Sequence, residues 1–151
     1  MFAKSQAGAV PRSSGWALVA LTLVAGGLSA REARADIQVH VMNCTSTSIE
    51  VQSYDAKDSV KAVAASTKKL NTSGQTATLS CAGEGKGYCQ MVLAILEKPV
   101  ACSKADSSSG IAGSAQFHLD SGKWVVVTGF QESGSTCKPI LQENLDSASC
   151  S

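Results

Sequence analysis

Beyond residue 36, apolar and polar positions alternate with period two, the mark of strands that bury one face. Ile37, Val39 and Val41 alternate with Gln38, His40 and Met42, and Ile49 and Val51 with Glu50, Gln52 and Tyr54. Thr45-Ser46-Thr47-Ser48 supplies turn formers between them, so residues 37–54 are expected to form a β-hairpin. Asp55 to Ser66 is richer in alanine and lysine. Val60, Val63 and Ala64 fall there at helical spacing behind a capping Asp55 or Asp58, which predicts a short helix or an irregular excursion. Turn formers occupy Leu70 to Gly74, and alternation resumes over Thr76 to Leu79.

Six consecutive apolar residues, Met91 to Leu96, predict a strand covered on both faces. Ser103 to Ser114 reads as a serine- and glycine-rich loop. Gln116 to Asp120 and Lys123 to Val127 flank Ser121-Gly122, which predicts a second hairpin. Its register sets Asp120 opposite Lys123 and gathers Phe117, Leu119, Trp124 and Val126 on one core-facing side. From Cys137 the tail reads either as an edge strand or as a short helix starting at Pro139. Several short strands joined by polar turns imply an all-β fold, a small antiparallel β-sandwich. An immunoglobulin-like architecture, with Trp124 against a disulfide, is one form of it, although the cysteine–tryptophan–cysteine spacing does not match that family.

The first thirty-five residues change this picture. Lys4 and Arg12 precede a thirteen-residue apolar run, Trp16 to Leu28, and Ala33-Arg34-Ala35 has the small-x-small pattern of a cleavage site. The run falls short of the roughly twenty residues that span a bilayer. Residues 1–35 are therefore expected to be a cleavable signal peptide and residues 36–151 a single exported domain, periplasmic or secreted. Four of the thirteen basic residues (Lys4, Arg12, Arg31, Arg34) and one of the twelve acids (Glu32) precede residue 36, leaving nine lysines, eleven acids and no arginine. A net charge of −2 without arginine argues against nucleic acid as a partner. No membrane span is expected after cleavage.

Export puts all six cysteines (Cys44, Cys81, Cys89, Cys102, Cys137 and Cys150) where disulfides persist. No Cys-x-x-Cys occurs, which removes the usual redox dithiol and zinc knuckle. Cys81–Cys89 is the favoured pair, because three glycines in the intervening loop let its ends meet. Closing that loop restricts the unfolded chain by about 2.5 kcal/mol in the chain-entropy model. For the other four, Cys102–Cys137 with Cys44–Cys150 and Cys137–Cys150 with Cys44–Cys102 both remain open.

Candidate chemistry is sparse, and neither a cofactor nor a metal is expected. The two histidines, His40 and His118, lie on strands opposite the core set, and Asp120 shares the strand face of His118. A catalytic role for His118 would need a nucleophile held beside it, and no Gly-x-Ser-x-Gly elbow is present. Asp55 and Asp58 lack the alternating ligands and central glycine of a calcium loop. Gly83-Glu84-Gly85-Lys86-Gly87 lacks the Lys-Ser/Thr ending of a phosphate loop. That segment reads instead as a stapled hairpin tip exposing Glu84, Lys86 and Tyr88, the first candidate for touching a partner. Lys57, Lys61, Lys68 and Lys69 form a modest basic strip. Asn43-Cys44-Thr45 and Asn71-Thr72-Ser73 fit a glycan-acceptor pattern that matters only in a eukaryotic secretory pathway.

These features favour a non-enzymatic binding or structural module for a protein or cell-envelope component. A secreted hydrolase using His118 with a carboxylate, and a carbohydrate or small-molecule binder, are the competing readings.

Overall fold

The period-two segments become strands, and the computed structural model describes them within residues 36–57, 63–107 and 110–151. The expected leader, Asp58, Lys61 and the middle of the 55–66 segment lie outside the described residues. The strands are β1 (Asp36–Asn43), β2 (Ile49–Tyr54), β3 (Ser66–Leu70), β4 (Gln75–Ala82), β5 (Tyr88–Ile95), β6 (Gly113–Asp120), β7 (Trp124–Ser133) and β8 (Thr136–Leu145). They form two four-stranded sheets, ordered β4-β1-β7-β8 and β3-β2-β5-β6. Both sheets contribute to one core, including Val39, Val41, Leu79, Val125 and Val127 from the first and Ile49, Val51, Met91, Leu93 and Leu119 from the second. The described chain is thus all-β, disulfide-bonded and sandwich-like.

Neither hairpin expected at 37–54 and 116–127 forms, and β4 and β5, which flank the expected hairpin tip at 83–87, lie in different sheets and do not pair. β1 pairs with β4 and β7, whereas β2 pairs with β3 and β5, so residues 37–54 make an arch that crosses between sheets. The arch lets Val39 and Val41 face Ile49 and Val51 across the core, where a hairpin would have placed both pairs on one side. β6 and β7 also part company. A tight turn does join them, with the Lys123 amide donating to the Asp120 carbonyl (3.0 Å) and Gly122 at φ 73°. The Gly122 amide, however, donates to Gln38 and the His40 amide to Lys123, at 2.7 and 3.0 Å. These bonds draw β7 alongside β1 in a parallel pair, since the backbone groups on that edge of β1 need partners. The sheets are therefore not purely antiparallel.

This crossing reverses the expected facing of β7. Val125 and Val127 point into the core, and Trp124 and Val126 point outward. Trp124 stacks on His40, ring centroids 4.8 Å apart, on the outer face of the first sheet rather than against a core disulfide. β5 is also less covered than its apolar run predicted. Cys89, Met91, Leu93 and Ile95 are fully buried, but Gln90, Val92 and Ala94 on the other face are only half-buried. The tail is strand, not helix. Pro139 is tolerated because β8 is an edge strand, where a missing amide hydrogen removes no ladder bond.

The edges of the two sheets meet along β6 and β8. At one end the Cys137 amide donates to the Ala112 carbonyl (3.0 Å), and at the other the Asp120 amide donates to Asn144 Oδ1 (3.0 Å). Between these bonds, half-buried Phe117 and Leu141 pack on the core. β6 is thereby tied to β8 at both ends of the edge that it would otherwise offer to another chain.

Three disulfides join Cys44 to Cys150, Cys81 to Cys89 and Cys102 to Cys137. The second links β4 to β5 and so bridges the two sheets. The third ties the loop after β5 to β8. That loop is held further by Glu132 of β7, which accepts hydrogen bonds from the Lys104 amide and from Ser103 Oγ. The Lys104 amide is the main reason that the Glu132 carboxyl lies below its ordinary range. Desolvation, the next largest influence, opposes it, while Ser103 and the charges of Lys104 and Lys98 add to the lowering. A depressed carboxylate stabilises the fold above its unfolded pKa, and the contribution is lost as pH falls through the folded value. Acidifying to below about pH 4 is therefore expected to loosen residues 102–107 before the sheets. Faster amide exchange at Lys104, corrected for the intrinsic rate, would show it, and Glu132→Gln should abolish the pH dependence.

Candidate binding surface

The turn between β4 and β5 is built to hold one shape. Lys86 donates its amide to the Gly83 carbonyl at 2.8 Å, while Glu84 and Gly85 take positive φ values of 47° and 82°. Two successive left-handed residues define a type I′ turn, and glycine at the second place adopts that conformation without steric cost. The Cys81–Cys89 disulfide closes the base of the turn. Gly83 sits so close to Ile37 that a Cβ would lie 2.2 Å from Ile37 Cδ1, so the turn rests directly on the core.

Neighbouring segments buttress it. Asp55 Oδ1 accepts from the Ala82 amide (2.6 Å), the Ala56 amide donates to the Ala82 carbonyl (3.1 Å), and Gln90 Nε2 donates to the Ala56 carbonyl (3.0 Å). On the other side the Ser121 amide donates to the Gly87 carbonyl at 2.9 Å. The Glu84 carboxylate pairs with Lys57 Nζ at 3.5 Å.

The three residues singled out in this loop have different fates. Lys86 stands exposed at the tip. Glu84 folds back, its side chain only 14% exposed against 60% for Lys57, so it braces the turn rather than presenting a charge. Tyr88 opens β5 on the outer face of the second sheet. Its ring stacks on His118 with centroids 4.5 Å apart and planes 22° from parallel. Asp120 lies opposite Tyr88 in the β5–β6 register, and Gln90 opposite His118. A depression of about 180 Å³ is lined by Gln90, Met91, Gln116, Phe117 and His118. His118 therefore stands on an exposed sheet face beside a shallow dent of mixed polar and apolar lining.

The remaining candidates are dispersed. His40 lies on the outer face of the other sheet, with Nδ1 3.0 Å from Thr78 Oγ1, so the fold does not bring the two histidines together. Asp55 serves the turn that it caps. Among the described residues no group of three or more histidine, cysteine, aspartate or glutamate side chains could hold a metal ion. The basic strip divides: Lys57 is engaged by Glu84, whereas Lys68 and Lys69 lie on β3, with Lys69 in register opposite Glu50. The Tyr88–His118 stack was not visible in the sequence, because thirty residues separate the two and only strand register makes them neighbours. No protein-family model, curated protein or solved structure matches the chain.

Proposed function

We propose that this chain is an exported, non-enzymatic binding module that presents the stapled β4–β5 turn, with Lys86 at its tip and Tyr88–His118 at its flank, to a protein or cell-envelope component. In this reading residues 1–35 direct export and are removed, and the domain works in the periplasm or outside the cell. The three disulfides fit an oxidising compartment. The observation that carries the proposal is the over-determined turn: a disulfide, an ion pair and backbone bonds to two neighbouring segments hold it while its tip stays in solvent. A surface ordered before contact loses little conformational entropy on binding, which is where such bracing yields affinity. The aromatic pair beside it is the kind of anchor that dominates interface energetics.

A photo-crosslinking residue at position 86, compared with one at position 138 on the β8 edge, tests this in envelope extract from the source cells. A discrete adduct is expected from 86 and not from 138. Tyr88→Ala should reduce its yield about tenfold or more, as for an anchor worth 1.4 kcal/mol or above. Identical adduct patterns from both positions, or none from 86, would end the proposal.

A further inference from the structure

The outer face of the first sheet carries an apolar strip that a sheet open to water would expose. Met42 of β1 and Val126 of β7 are register partners there, and Trp124 and Leu145 form the next outward pair between β7 and β8. Val126 points away from the core residues Val125 and Val127, yet it is only 1% exposed. Something must cover it on the outside. The segment Asp146–Ser151 is in position to do so. β8 ends at Leu145, level with Trp124, whereas Cys150 is bonded to Cys44, whose amide donates to the Val127 carbonyl. The path from Leu145 to Cys44 crosses two strand spacings and about four residues of rise, roughly 16 Å, within reach of five extended residues. That diagonal passes over β7 at Val126. The burial pattern agrees, since Ala148 is half-buried while Asp146, Ser147, Ser149, Cys150 and Ser151 are exposed.

The segment is fastened at two points. Lys123 Nζ holds the Asp146 carboxylate at the start, and the Cys44–Cys150 disulfide holds the far end. The three disulfides differ in access. Cys81, Cys89, Cys102 and Cys137 are all at most 3% exposed, whereas Cys150 is exposed and Cys44 half-buried. Thiol–disulfide exchange requires a thiolate to reach sulfur, so access decides which bond opens first.

We propose that residues 146–151 are a redox-released strap, in which a dithiol reductant opens Cys44–Cys150 and uncovers the Met42–Val126–Trp124 strip. One thiolate of the dithiol attacks Sγ of Cys150, a mixed disulfide forms, and the Cys44 sulfur leaves as a thiolate that takes a proton. The second thiol of the reductant then displaces Cys150. The protein gains two electrons and two protons as two thiols, and the dithiol becomes a disulfide. The core disulfides stay closed, so the sheets persist while the strap swings free. Reoxidation restores the cover.

The test is graded reduction of the full chain with dithiothreitol, with iodoacetamide trapping, peptide mass mapping and a hydrophobic dye followed in parallel. Cys44 and Cys150 should be alkylated together at least ten times faster than the other four cysteines. Dye emission should rise in step and fall again on reoxidation. Val126→Ser should keep the order of reduction and lose most of the dye response. Simultaneous labelling of all six cysteines would mean that the fold opens as a whole, and would overturn the proposal. Early labelling of Cys44 and Cys150 with no dye rise would also overturn it, because the strap would then cover no apolar surface.

Discussion

Gly113→Ala is expected to destabilise this fold by about 3 kcal/mol or more. A Cβ at position 113 would lie 1.8 Å from the Cys137 carbonyl oxygen and 2.7 Å from its carbon. Both are backbone atoms of β8, so no side-chain rotation relieves the overlap. The conflict falls where the Cys137 amide bonds the Ala112 carbonyl and where Cys137 is joined to Cys102. Relief requires β6 and β8 to separate at the end of the seam that closes the two sheets. Gly83→Ala is the informative control. Its Cβ would meet Ile37 Cδ1 at 2.2 Å, a side-chain terminus that can shift to another rotamer, so a smaller loss is expected. Urea denaturation of both variants under non-reducing conditions gives the comparison. A Gly113→Ala protein as stable as Gly83→Ala would mean that the seam is not a closure point.

Asn43→Ala is expected to cost a similar amount, about 3 kcal/mol, for a different reason. Asn43 is fully buried at the end of β1, where the arch to β2 begins. Its Nδ2 donates to the Thr47 carbonyl (2.9 Å) and to the Leu70 carbonyl (3.4 Å). Its Oδ1 accepts from the Thr45 amide (3.0 Å) and from Thr45 Oγ1 (2.8 Å). One side chain thus shapes the 43–47 turn and reaches the end of β3. Alanine would remove all four bonds at once and leave the buried Leu70 carbonyl without this donor, while the half-buried groups of Thr45 and Thr47 would lose the partner that shapes their turn. Asn43→Asp should be worse, because it removes both donors and buries a carboxylate. Denaturant midpoints of the two variants at pH 7 check the order, with Asp below Ala. The reverse order would show that the site admits water. The same burial closes Asn43 as a modification site in the folded protein, while Asn71 lies in the exposed turn before β4.

How much of this was legible in the sequence differs by level. Alternation identified which residues of β1, β2 and β4 turn inward, because a period of two follows directly from the pleat. It could not say which strands are neighbours. For β1 and β2 a hairpin and an arch bury the same residues, and they differ only in whether those residues share a sheet or face each other across the core. The first expected hairpin failed on that distinction alone, and the second failed on the neighbours of β7 and on its facing together. With the second went the facing of Trp124, whose size suggested the interior but whose parity, once β7 joined β1, put it outside. The candidate surface divides in the same way. The glycine-rich, cysteine-flanked loop stood out from local composition, and Lys86 at its tip with it. The retreat of Glu84 toward Lys57 and the stacking of Tyr88 on His118 depend on partners distant in the chain.

The sequence by itself determined the class of fold, the inward-facing residues of most strands and a set of six cysteines suited to an oxidising compartment. These follow from side-chain polarity and local backbone geometry, which need no knowledge of the rest of the molecule. Tertiary structure alone decided the sheet order, the choice between the two cysteine pairings left open, the hub at Asn43 and the covered strip around Val126. Each of those depends on which backbone edges find hydrogen-bond partners, and that is settled only when all eight strands compete for them at once.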